Sequence, residues 1–277
     1  MGGETKAIKS EWVHYGDQTG YLAQPERASA PLPGVVVIQE AWGVNEQIED
    51  VTRRIAAAGY VALAPDLFAV KGERPPALSR DRITQAMAFM QKLPPGTMMD
   101  PSVREAELAK LPDLDRQQIS ESFGQIFGSA GPDRLNRLVA PLRRAVRYLR
   151  SERPETRQQR VGCVGFCMGG GLSALLACEE PELAAAAIYY GSAPSAEEVA
   201  KINCPVIAFY GEKDQRVNAG IPGFEEAMRK GGKSFEHHIY PGAAHAFFND
   251  DRPSYDVRAT RDSFARLLTF FLQNLGG

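Results

Sequence analysis

The chain has 277 residues, of which 44% are hydrophobic and 24% charged, and its formal net charge at pH 7 is −2. That composition supports a packed globular core and excludes a basic field for capturing nucleic acid or anionic lipid. No apolar run is long enough to cross a bilayer, and the start MGGETKAIKSEW lacks the apolar stretch of a secretory leader.

Residues 11–15 and 20–24 flank the turn pair Gly16-Asp17, which predicts a hairpin at a sheet edge. Residues 34–39 (GVVVIQ) form a β-branched run suited to a parallel strand covered on both faces. A helix is predicted over 46–58, stopped by Gly59, and a strand over 60–64, closed by Pro65-Asp66-Leu67-Phe68. Further strands are predicted near 160–164, 184–190, 205–210 and 235–240, with a helix over 170–178. The last helix is predicted over 254–274, with Val257, Phe264, Leu267, Leu268, Phe271 and Leu275 on its buried face. Strands alternating with helices imply parallel βαβ units whose ligands bind beyond the strands' carboxyl ends.

About 70 residues separate Phe68 from a helix predicted over 138–149, too many for an ordinary loop. They carry helical patterns near 82–90 and 103–111. We read the chain as one domain over 1–277 with an excursion at about 70–135, either a partial cap over the carboxyl edge or a peripheral elaboration.

The four cysteines are Cys163, Cys167, Cys178 and Cys204, with no CxxC pair among them. Three read as small core residues, and the pattern fits a reducing cytoplasm. The fourth stands in Gly165-Phe166-Cys167-Met168-Gly169, between a predicted strand and a predicted helix. This is the pattern of a nucleophile elbow with cysteine in place of the usual serine: a sharp turn that exposes its central side chain and needs small residues two before and two after. A helix N-terminus there also favours a thiolate.

A thiol nucleophile needs a base, and the base needs an orienting partner. Asp214 follows the strand ending near Tyr210, and His245 follows the last strand in Pro241-Gly242-Ala243-Ala244-His245-Ala246-Phe247. Nucleophile, acid, histidine is the chain order of the α/β-hydrolase fold, and all three fall at one sheet edge. His14, His237 and His238 lie within predicted strands, while Asp66 and Glu212 read as turn residues. Glu40 ends a buried strand, a costly place for a carboxylate without a partner or a task. In this fold the loop after that strand gives one oxyanion-hole N–H, here Ala41, and the residue after the nucleophile, Met168, gives the other.

Five motifs, Glu40-Ala41-Trp42-Gly43-Val44-Asn45, Pro65-Asp66-Leu67-Phe68, Gly165-Phe166-Cys167-Met168-Gly169-Gly170, Gly211-x-x-Asp214-x-x-Val217 and Pro241-Gly242-Ala243-x-His245-x-Phe247, together resemble the dienelactone hydrolase (carboxymethylenebutenolidase) family. The resemblance implies an α/β-hydrolase fold, a triad of Cys167, Asp214 and His245, and Glu40 as the partner of the resting thiol, taking its proton when substrate displaces it. The family's prototype holds its substrate carboxylate with arginines, one of them four residues after the histidine, where this chain has Asn249. Arg74, Arg80, Arg82 and Arg104 are candidates for the other. Trp42 and Phe247, with Met98 and Met99 from the excursion, would suit an apolar pocket around a larger or neutral lactone or ester.

The expected activity is therefore hydrolysis of a lactone or carboxylic ester through a thioester, with a small-molecule substrate and no metal or organic cofactor. The competing expectations are a non-catalytic ligand-binding or thiol-sensing protein on the same fold, and a metal site using Cys163, Cys167 and a histidine, which lacks a second ligand pair. The sequence is compatible with a monomer or a small homo-oligomer.

Overall fold

In the computed structural model, which describes residues 7–28, 30–94, 97, 100–128 and 133–276, the backbone is organised by one eight-stranded sheet. Strands β1 (Ile8–Tyr15) and β2 (Gln18–Pro25) form the edge hairpin, turning at Gly16 with φ +65°. The others are β3 (Gly34–Ile38), β4 (Val61–Pro65), β5 (Val161–Phe166), β6 (Ala185–Tyr189), β7 (Val206–Gly211) and β8 (Phe235–Tyr240). Their order is β1-β2-β4-β3-β5-β6-β7-β8; β2 pairs antiparallel with β1 and β4, and every pairing from β4 to β8 is parallel.

The strand pleat sends alternate side chains to opposite faces, and both faces are apolar here. Val36 and Ile38 enter one core cluster while Val35 and Val37 enter the other. The helices are α1 (Glu46–Ala57), α2 (Arg80–Gln91), α3 (Pro101–Leu108), α4 (Asp113–Phe127), α5 (Asp133–Arg147), α6 (Met168–Glu179), α7 (Ala196–Val199), α8 (Gln215–Asn218), α9 (Ile221–Lys230) and α10 (Val257–Leu275). Leu142 and Leu149, in and just after α5, share a cluster with Leu172 and Leu176 of α6 and Phe224 of α9; Ile48 and Ile55 of α1 share the other with Leu267 and Phe271 of α10. The chain reverses direction across the sheet at β3, with β4 on one side and β5 on the other. A switch point of this kind opens a crevice beyond the carboxyl ends of the flanking strands.

By its contacts the chain divides into two compact units, Met1–Leu67 with Leu135–Gly277, and Phe68–Arg134. The second holds α2, α3 and α4 around Ile83, Phe89, Ile119, Phe123 and Ile126, with the Phe89 and Phe123 rings 5.8 Å apart. Ser122 Oγ donates to Ala77 O at 2.8 Å inside it. The sequence reading anticipates α2 and α3 but not α4, whose sparse apolar residues are interrupted by Asp115, Arg116, Glu121 and Gly124. The terminal helix begins at Val257 rather than 254, because Asp256 caps it by accepting from Arg258 N and Ala259 N. Val257 is consequently 61% exposed, and Phe270 takes a buried place instead. Among the described residues no helix is long and apolar enough to cross a membrane.

Candidate active site

Cys167 joins β5 to α6 at φ 55° and ψ −114°, a conformation that costs a non-glycine residue about 1–3 kcal/mol. Its neighbours hold it there. A Cβ on Gly165 would lie 1.8 Å from Gly169 O, one on Gly169 2.4 Å from both Ile38 O and Gln39 O, and one on Gly170 2.5 Å from Tyr189 O. These missing side chains let α6 rest directly on the carboxyl end of β3. Cys167 N donates to Tyr189 O at 3.0 Å, tying the elbow to β6 as well. Met168 opens α6, so its N–H has no intrahelical acceptor. Gly169 brings that turn against the β3 end, from which Ala41 is two residues removed from Gln39.

Asp214 and His245 reach the sulfur from the next two strands. After β7, Lys213 N donates to Ala243 O at 2.9 Å and Glu212 accepts from Gly242 N at 2.8 Å, which fastens the acid loop to the histidine loop. Asp214 Oδ2 makes a short hydrogen bond with His245 Nδ1, and His245 Nε2 lies 3.2 Å from Cys167 Sγ. Burial opposes charge on the imidazole, but hydrogen bonds to Asp214 and Cys167 and the attraction of both outweigh it and lift the His245 pKa to about 10. The imidazole is thus placed to hold a proton between the Asp214 carboxylate and the sulfur.

Glu40, two residues after β3, is buried. Its Oε1 accepts from the Tyr190 hydroxyl at 3.3 Å and its Oε2 from Asn249 Nδ2 at 3.1 Å. Burial pushes its carboxyl above the ordinary value, against the Arg252 cation, the Asn249 amide, His245 and the Tyr190 hydroxyl. Among the described residues the hydrogen bond of Cys167 Sγ goes to His245 and not to Glu40. The expectation that Glu40 pairs with the resting thiol therefore differs from this arrangement, in which Tyr190 and Asn249 occupy the carboxylate.

Asn249 and Phe247 also differ from the expectation of substrate-facing residues. Ala246 has φ 61°, and the chain beyond it turns inward. Phe247 is fully buried with its ring centroid 5.4 Å from that of Tyr190 and 5.3 Å from that of Tyr240, and Asn249 is 1% exposed. Trp42 is buried as well, with the Arg252 guanidinium over its ring at 5.7 Å. Met98 and Met99 lie outside the described residues. Of the candidate arginines, Arg82 is engaged by Glu121 at 3.0 Å and by Gln118 O, and Arg74 stacks over Phe68 at 5.8 Å. Arg80 opens α2 and Arg104 lies in α3. Tyr190 and Arg252 are the two residues that sequence reasoning missed. Tyr190 had one signal, its place directly after β6 at the edge shared by the triad candidates. Among the described residues no cluster of three or more His, Cys, Asp or Glu could hold a metal ion.

Residues 19–275 match the model of the dienelactone hydrolase family. A Saccharolobus solfataricus protein provisionally named carboxymethylenebutenolidase is 33% identical over 261 residues, 90% of this chain and 91% of its own. A Yersinia pestis protein of the same provisional name is 28% identical over 288 residues, 97% of this chain and 91% of its own. A solved structure from Klebsiella pneumoniae, provisionally titled a dienelactone hydrolase, superposes with a TM-score of 0.69 at 26% identity, covering 97% of this chain and all of that one.

Proposed function

The chain belongs to the dienelactone hydrolase family, carboxylic ester and lactone hydrolases of the α/β-hydrolase fold, and from that premise we propose that it opens its substrate through Cys167 and a thioester. The supporting observation is the unbroken hydrogen-bond chain Asp214–His245–Cys167 at the end of three parallel strands. His245 Nε2 takes the thiol proton and Sγ attacks the carbonyl carbon. The N–H groups of Ala41 and Met168 receive the oxyanion. As the tetrahedral adduct collapses, the ester oxygen leaves with the proton from His245; in a lactone the released alcohol stays tethered to the acyl group. Water then attacks the thioester while His245 removes its proton and returns it to sulfur, freeing the acid. Asp214 holds the imidazole in the required tautomer and faces its positive charge.

Asn249 brings no cation to the place where the prototype grips a carboxylate, and it is spent on Glu40. Neutral small-molecule lactones or esters are accordingly the substrate class we assign. A thiol-sensing or binding protein would need neither Asp214 nor His245 in line with the sulfur, so the same hydrogen-bond chain speaks against that alternative.

The test is a panel of small esters and lactones assayed with wild type and Cys167→Ala. We expect kcat/KM to fall by about 10³-fold or more, and mass spectrometry to find an acyl adduct on Cys167 in wild type under rapid quench. Hydrolysis that survives the substitution would remove the cysteine route.

A further inference from the structure

Strand β8 ends the sheet order, and among the described residues no strand covers its outer side. On its inner side Val206 N donates to Ser234 O at 3.0 Å and Glu212 N donates to Tyr240 O at 3.1 Å. Main-chain groups alternate sides along a strand. With residues 234, 236, 238 and 240 turned to β7, Phe235, His237 and Ile239 direct their N–H and C=O groups outward. Sheet edges are ordinarily blunted by lysine, proline or a bulge. The opposite edge, β1, carries Lys9. In contrast β8 (FEHHIY) holds neither lysine nor proline, and it pairs with β7 without a break over all 6 residues. Ile239 is 45% exposed on it.

We propose that this edge is a dimer interface: β8 of one chain pairs antiparallel with β8 of a second copy about a two-fold axis at His237. The register follows from side-chain complementarity. Glu236 and His238 lie on the α10 face of the strand, where Glu236 Oε1 and His238 Nε2 bond at 2.6 Å, with Asp262 and Arg266 of α10 beside them. With the axis at His237, Glu236 stands opposite His238 of the second copy. These are the closely spaced positions of an antiparallel pair, about 4.5 Å between Cα atoms. An axis one residue earlier sets Glu236 against its own copy, and one residue later sets His238 against its own copy. A carboxylate facing an imidazole stabilises such a pair, whereas two carboxylates repel. On the other face Ile239 comes opposite Phe235 of the second copy, an aromatic with a β-branched residue. Phe235 is already held there by Phe224 of α9, with ring centroids 4.5 Å apart. The two-fold pairing satisfies the outward main-chain groups of both copies and leaves no open β8 edge. It takes nothing from the chemistry at Cys167 and stands apart from that reading.

Sedimentation equilibrium of the full chain over a dilution series tests the pairing. Wild type should reach twice the mass of the chain. Ile239→Lys, at an exposed position, should keep the thermal melt of wild type and raise the dimer dissociation constant about tenfold or more, equivalent to about 1.4 kcal/mol. The register is read by mixing Glu236→Cys chains with His238→Cys chains while dilute, concentrating them, and adding oxidised glutathione. The two positions would lie about 4.5 Å apart between Cα atoms, within the roughly 4.4–6.8 Å that a disulfide spans. The mixture should give a disulfide-linked dimer joining residues 236 and 238, identified by peptide mass spectrometry, that neither variant gives alone. A wild type that stays monomeric at the highest concentration would overturn the proposal and leave the edge to an extended segment of a different protein. So would a folded Ile239→Lys variant as dimeric as wild type, or a mixture without the link between 236 and 238.

Discussion

Gly169→Ala tests whether the contact between elbow and sheet sets the site. The new Cβ would sit 2.4 Å from Ile38 O and Gln39 O and 2.8 Å from Ile38 C, about 1 Å short of ordinary van der Waals separation. All three atoms are backbone, and β3 is clamped by parallel ladders to β4 and β5, so the strand has nowhere to go. The first turn of α6 must therefore retreat, carrying the Met168 N–H away from the Ala41 loop. Overpacking of this kind costs about 1–3 kcal/mol, partly offset by roughly 0.8–1 kcal/mol of helix propensity gained over glycine. Displacing a reactive group by about 1 Å costs about 10²-fold in rate. Gly171→Ala is the control: its nearest neighbours, Ser192 N and O, are 3.7 Å away, so the same propensity gain comes without a clash. Thermal melts and kcat/KM on a chromogenic ester should show Gly169→Ala less stable and about 10²-fold slower, and Gly171→Ala at least as stable and fully active. Equal activity in the two variants would refute the reasoning.

Asp214→Asn should keep the fold yet lower kcat/KM by about 10³–10⁴-fold, as expected when the imidazole loses the partner that fixes its tautomer; a loss under tenfold in ester hydrolysis would count against Asp214 as the orienting acid. The pH dependence comes from the upward shift of His245. A base whose pKa is raised keeps its proton through neutral pH and releases it only as pH rises through the shifted value, here about 10. Activity that needs the imidazolium should persist through pH 7–9 and decline near 10, and Asp214→Asn should bring that decline to lower pH. A pH–rate profile whose alkaline limb falls near the ordinary histidine value of about 6.5 would contradict the assigned electrostatics.

The parallel strands are legible in the sequence because runs such as Val35-Val36-Val37-Ile38 are apolar on both faces, which a chain tolerates only between two layers. The helix α4 is not, because its few apolar residues face only a small unit and its polar residues break the period. The meeting of Cys167, Asp214 and His245 is legible for a topological reason: each lies in the segment that follows a strand, and parallel strands deliver their succeeding loops to the same edge. The segment just beyond His245 is harder to read. Phe247 and Asn249 look substrate-facing from their motif, but the positive φ of Ala246 turns that segment inward, a backbone choice that no side-chain pattern announces. The partners of Glu40 are hidden for a related reason, since a buried carboxylate declares that it needs donors without saying where they come from.

The hydrogen bonds of the site join residues 31, 78, 150 and 209 positions apart. Closing loops of that length costs entropy that a single hydrogen bond, worth about 1 kcal/mol net, does not recover. The sheet closes them instead, through the ladders that bring β3, β5, β6, β7 and β8 side by side. The side chains at the site are therefore released from holding the chain together. Glycine contacts at the strand ends, such as Gly169 on β3 and Gly211, where an added Cβ would lie 2.6 Å from Ala244 O, accordingly bear on activity although no glycine side chain takes part in the chemistry.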